Sequence, residues 1–105
     1  MPFRNRIKRR DDNHFEITQA IEQHGAVVTD TSQIGSFVDC VFVYRRKVYL
    51  CEIKDGKKAK SARKLTPNEQ KFHDSVRGIV LIFTSIDDVV GFFKGLPVQI
   101  VSDRQ

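Results

Sequence analysis

Two carboxylates and an amine stand out in the stretch "FVDCVFVYRRKVYLCEIKDG". Asp39 interrupts one apolar run, Glu52 the next, and Lys54 follows two residues later. Strand alternation sets Asp39, Val41 and Val43 on one face and Val38, Cys40 and Phe42 on the other. On the following strand Val48, Leu50, Glu52 and Lys54 share a face. A connection centred on Arg45-Arg46 pairs residues whose numbers sum to 91, which puts Asp39 opposite Glu52. Opposed side chains have Cβ atoms about 4.5–5.5 Å apart. Carboxylates that close disfavour each other's ionisation, and a bridging divalent cation removes the conflict. Hard cations such as Mg²⁺ take one or two carboxylates, with phosphate and water completing the shell. Lys54, one pleat along, is placed to hold a water or to stabilise charge on an attacked phosphate. The same residues also fit a plain salt bridge between Lys54 and Glu52 at a strand end. The facing pair depends on the turn: Arg-Arg is a poor two-residue hairpin sequence, and a three-residue loop with a bulge would break it. The same register opposes Cys40 to Cys51, expected as reduced core thiols beneath the site rather than a cross-strand disulfide.

The surrounding elements must position these groups. "DDNHFEITQAIEQHG" reads as a helix, with Asp11, Asp12 or Asn13 as its cap and Gly25 at its end. Ile17, Ala20, Ile21 and His24 form its apolar face. A short strand is expected at 26–30, then a polar loop, then the hairpin of 37–54. "LTPNEQKFHDSVRG" opens a second helix: Thr66 caps, Pro67 takes the first position and Glu69 completes a capping box. Leu65, Phe72 and Val76 serve its buried side. "GIVLIFT" (78–84) suits a strand covered on both faces. Ser85 with Asp88 starts a third helix ending near Gly95, and "VQIV" (98–101) is a peripheral last strand. The order αβββαβαβ predicts an α/β fold, a mixed sheet with helices on both sides.

Composition narrows the partners. The 105 residues suit one domain (11–105) behind a basic arm (1–10). No apolar run approaches the roughly 20 residues that span a bilayer, and no apolar stretch with a cleavage site follows the basic N-terminus. Two cysteines without metal-finger spacing fit a reduced, intracellular (cytoplasmic) protein. Net charge is +5, and residues 1–10 and 45–64 hold 14 of the 18 Lys and Arg. Such clustering points to nucleic acid or another anionic surface; no membrane partner and no small-molecule cofactor are expected. His14, His24 and His73 share no ligand spacing.

An acid in one strand followed by acid–apolar–Lys in the next, Asp39 … Glu52-Ile53-Lys54, resembles the PD-(D/E)XK nuclease superfamily. With "FEITQAIEQHGAVV", "IGSFVDCVFVYRRKVYLCEIKDG" and "KLTPNEQKF", residues 12–76 resemble its VRR-NUC (virus-type replication-repair nuclease) branch. Glu16 matches that branch's helix Glu, and Gly35 the loop before the Asp. Leu65-Thr66 with Gln70 matches its leucine–threonine–x–x–glutamine signature, one residue longer. Val38 stands where the family often has Pro.

The resemblance implies a restriction-endonuclease-like fold and a metal-dependent DNA phosphodiesterase. Asp39, Glu52 and the Ile53 carbonyl would hold Mg²⁺ or Mn²⁺, Lys54 would orient water, Glu16 would support the site or ligate a second metal, and Gln70 would point at the site or a phosphate. Lys57, Lys58, Lys60, Arg63 and Lys64, with the arm, would contact DNA phosphates. The expected activity is structure-specific endonuclease cleavage of branched DNA such as four-way (Holliday) junctions in DNA repair, by a homodimer presenting two sites. A flap or restriction-like nuclease, a catalytically inactive DNA-binding subunit and an RNA-associated basic protein are the competing readings.

Overall fold

A computed structural model describes residues 12–35, 37–55, 66–75 and 78–100. The basic arm, Lys57, Lys58, Lys60, Arg63, Lys64, Leu65, Val76 and Val101 therefore lie outside the described residues. The elements are α1 (His14–Gln23), β1 (Val27–Asp30), β2 (Cys40–Tyr44), β3 (Lys47–Ile53), α2 (Pro67–Ser75), β4 (Val80–Phe83) and α3 (Ile86–Phe93). They form an α/β domain around a four-stranded mixed sheet of order β1-β2-β3-β4. The first three strands are antiparallel, and β4 joins β3 in parallel after the α2 crossover.

Alternation along the strands divides the core into two layers. Cys40, Phe42, Cys51, Ile53, Leu81 and Phe83 face Ile17, Ala20 and Ile21 of α1 and Val89 of α3. The other face carries Val41, Leu50, Val80 and Ile82, with Phe72 of α2 packed on it and edge-on to Phe37 at 5.2 Å. The apolar spacing i, i+3, i+4 buries Ile17, Ala20 and Ile21 as one stripe. The helix ends as Gly25 turns to φ +93°, where a Cβ would be strained. His24 closes it, donating from Nδ1 to the Ala20 carbonyl (2.8 Å) and stacking on Phe93 at 4.6 Å. Ser85 caps α3 by accepting from the Asp88 N–H.

Among the described residues the expected last strand (98–101) is represented by one bridge, Leu81 to Ile100, with the Ile82 N–H bonded to the Gln99 carbonyl (2.9 Å). Pro97 lacks the donor a longer ladder would need just before this segment.

Candidate functional site

The hairpin keeps the 91 register: Tyr44 pairs with Lys47, Val43 with Val48, and so on to Cys40 with Cys51. Arg45 and Arg46 make a two-residue turn by taking left-handed backbone, φ 50° and 68°. The ladder stops one step short of Asp39 and Glu52. There the Asp39 N–H donates to the Cys51 carbonyl (3.1 Å), one residue off the register. Asp39 and Glu52 are therefore not a facing pair within the ladder, and the expected geometry is corrected.

The cause is the loop before β2. Thr31 holds the incoming chain twice: its N–H bonds the Asp39 carbonyl (3.0 Å) and its hydroxyl the Val38 carbonyl (2.7 Å). The chain bends there, and Val38 joins the α2-side cluster with Val41 instead of the Cys40 face that alternation assigned it. The bend brings the Asp39 carboxylate across β3, where Oδ2 accepts from the Ile53 N–H at 2.8 Å. A strand-entry carboxylate thus sits beside the backbone that follows Glu52.

Glu52 is wholly buried, on the sheet face of Leu50 and Ile82. Lys54 Nζ approaches its Oε1 at 3.8 Å, with the lysine side chain only 12% exposed. This is the salt bridge the sequence allowed, and it does not exclude a cation. Asp39 and Glu52 set two carboxylates in the neighbourhood of Lys54, Asp39 half-buried and Glu52 buried, and Asp55, one residue past Lys54, is buried as well. Carboxylate and carbonyl oxygens are the donor type that Mg²⁺ or Mn²⁺ takes. Among the described residues no group of three or more His, Cys, Asp or Glu side chains is arranged to hold a metal ion. A cation here would complete its shell from main chain, water or phosphate.

Beneath, Cys40 and Cys51 are free and buried on the opposite face. Burial pushes the Cys51 thiol well up, and Cys40 and the nearby Asp39 and Glu52 carboxylates add to the shift.

Asn13, read from the sequence only as a cap, has a larger role. It stands at the N-cap of α1 without a side-chain cap bond. Its amide instead donates to the Lys54 carbonyl (3.1 Å) and the Thr84 carbonyl (3.0 Å). These are the backbone positions just past the ends of β3 and β4, so one side chain ties the helix start to the segment bearing Lys54. A cap candidate reads as local chemistry, and nothing around Asn13 announces partners 41 and 71 residues away. His14, also unassigned by sequence, is buried and pairs with Asp30 Oδ2 at 3.6 Å. Asp30 in turn accepts from the Ser32 N–H (2.8 Å) and hydroxyl (2.6 Å).

Two further expected site residues lie on helices. Glu16 is exposed in the first turn of α1, a helix on the sheet face opposite Glu52. Gln70 lies on α2, the helix covering the Glu52 face, and its amide donates along the helix to Asp74 Oδ1 (2.9 Å). In comparisons with known proteins, the chain matches no family model, no curated protein and no solved structure. No helix among the described residues is long and apolar enough to cross a membrane.

Proposed function

We propose that this chain is a metal-dependent DNA nuclease of the PD-(D/E)XK type, cutting phosphodiester bonds in branched DNA. The observation that carries the reading is one end of the sheet. There a wholly buried Glu52, a Lys54 ammonium 3.8 Å away and an Asp39 carboxylate fixed on the Ile53 N–H converge. Burying a carboxylate is costly in a face otherwise built of Val, Leu and Ile, and a structural role does not call for it.

Asp39, Glu52 and the Ile53 carbonyl would hold Mg²⁺ or Mn²⁺, which when bound supplies Lewis-acid charge to the scissile phosphate. The chain's own groups do the rest. Lys54 presents its ammonium beside Glu52, where it orients a water and meets charge developing on the phosphate oxygens. Asn13 holds the Lys54 backbone, and so the approach of that ammonium, against α1. The Thr31 bonds keep Asp39 turned across β3. Lys57, Lys58, Lys60, Arg63 and Lys64 would hold DNA phosphates without reading sequence.

A four-way junction, a flap and a linear duplex, each with Mg²⁺, Mn²⁺ or EDTA, test this reading. Metal-dependent cleavage of the junction is expected, lost in Asp39→Asn, Glu52→Gln and Lys54→Met with DNA affinity retained. Cleavage undiminished in Lys54→Met would overturn the mechanism. DNA binding without cleavage in either metal would leave the non-catalytic DNA-binding subunit.

A further inference from the structure

Arg45 and Arg46 make up the whole β2–β3 turn, both in left-handed backbone. A two-residue hairpin turn of this kind favours Asn-Gly, Asp-Gly or Gly-Gly, because a Cβ resists positive φ. The turn closes all the same, with Tyr44 and Lys47 in register. Two guanidinium groups thus occupy positions where folding alone prefers Asn and Gly, and backbone strain retained in this way marks a functional candidate.

The surroundings identify what the turn would bind. Arg45, Arg46 and Lys47 are all exposed. The Arg45 guanidinium lies 5.1 Å from the centre of the Tyr44 ring, and Tyr44 packs edge-on against Phe93 at 4.8 Å. Phe93 ends α3, and the exposed Lys94 follows it. Four cations therefore stand at the end of the sheet away from Glu52, where α1 contributes one acid, Glu22, in its last turn. A ring-seated guanidinium on a tight turn loses little freedom on binding.

We propose that the Arg45-Arg46 turn, with Lys47 and Lys94, is a second contact for the phosphate backbone of duplex DNA; the choice of polyanion rests on the nuclease reading above. Its spacing from the site is set by β3. Six residues separate Arg46 from Glu52, about 20 Å at 3.3 Å per residue. Duplex DNA rises about 3.4 Å per base pair, so the turn meets phosphates about six base pairs from a bond held at the Glu52 end. Neutral salt weakens such contacts and base sequence does not alter them.

The test exchanges the turn for the one folding prefers. R45N/R46G is expected to raise the thermal midpoint by about 5 °C. At 0.1 M salt and without metal, its affinity for a 30-base-pair duplex falls by about tenfold or more. The slope of log K against log salt becomes shallower by about 1.8, the value for two phosphates. R45K/R46K keeps the slope. Unchanged affinity and slope in R45N/R46G would overturn the proposal, as would tighter wild-type binding to phosphatidylserine vesicles than to duplex. A wild-type chain that shows the slope difference but cuts no DNA with Mg²⁺ or Mn²⁺ would reject the nuclease reading and uphold the turn contact.

Discussion

Glu52 carries a carboxylate to a fully buried position, and Lys54 answers it with an ammonium at 3.8 Å. Removing one partner of such a pair strands a charge and costs about 3–5 kcal/mol, whereas replacing both with apolar residues is often neutral or stabilising. Lys54→Met is therefore expected to lose about 3 kcal/mol in urea unfolding, and the double variant Glu52→Met/Lys54→Met to recover most of it. A double variant as unstable as the single one would show that the pair does not set the cost. The thiol beneath makes a second residue-scale prediction. Burial, then Cys40 and the two carboxylates, raises the folded-state pKa of Cys51. The unfolded chain releases this proton above about pH 8.5 while the folded chain keeps it. The thiol's contribution is thus complete below that pH and is lost as pH rises toward the folded value. Urea midpoints at pH 7, 9 and 10 should fall less in Cys51→Val than in the wild type. Parallel curves would reject the assignment.

At the scale of elements, α1 is joined to the sheet by packing and by one side chain. The stripe of Ile17, Ala20 and Ile21 is visible from spacing alone, because helical periodicity is local. The tie from Asn13 to Lys54 and Thr84 is not, because it forms only when the ends of β3 and β4 meet the helix start. Asn13→Ala leaves both carbonyls without that amide and is expected to cost about 1–3 kcal/mol. Under the nuclease reading it lowers kcat and leaves KM for DNA unchanged; a variant altered in stability alone would reduce Asn13 to a structural tie. The hairpin divides in the same manner. Apolar alternation from Cys40 to Tyr44 and from Lys47 to Ile53 sets the register, and the turn follows it despite poor turn residues.

The whole molecule presents the proposed site at one end of the sheet and a cationic turn at the other, within a chain of net charge +5. Junction resolution requires two cuts, and a symmetric pair of chains supplies two sites. We propose that the working form is a homodimer, and sedimentation at micromolar concentration should return twice the 12.1 kDa chain mass. A monomer that resolves junctions at the same rate would reject the dimer.

Residue pattern by itself determined the α/β class, the apolar stripe of α1 and the hairpin register from Cys40 to Cys51. All of these follow from periodicities of two and 3.6 residues, which any chain segment carries within itself. Tertiary structure decided the rest. The grip of Thr31 bends the chain at Val38 and Asp39, so the ladder ends before the acids and the Asp39 carboxylate turns to the Ile53 N–H. Glu16 is exposed because the apolar stripe of α1 fixes how that helix is rotated on the Cys40–Cys51 face of the sheet. Alternation predicts a facing pair only while the ladder continues, and a loop eight residues upstream of Asp39 is what ends it here.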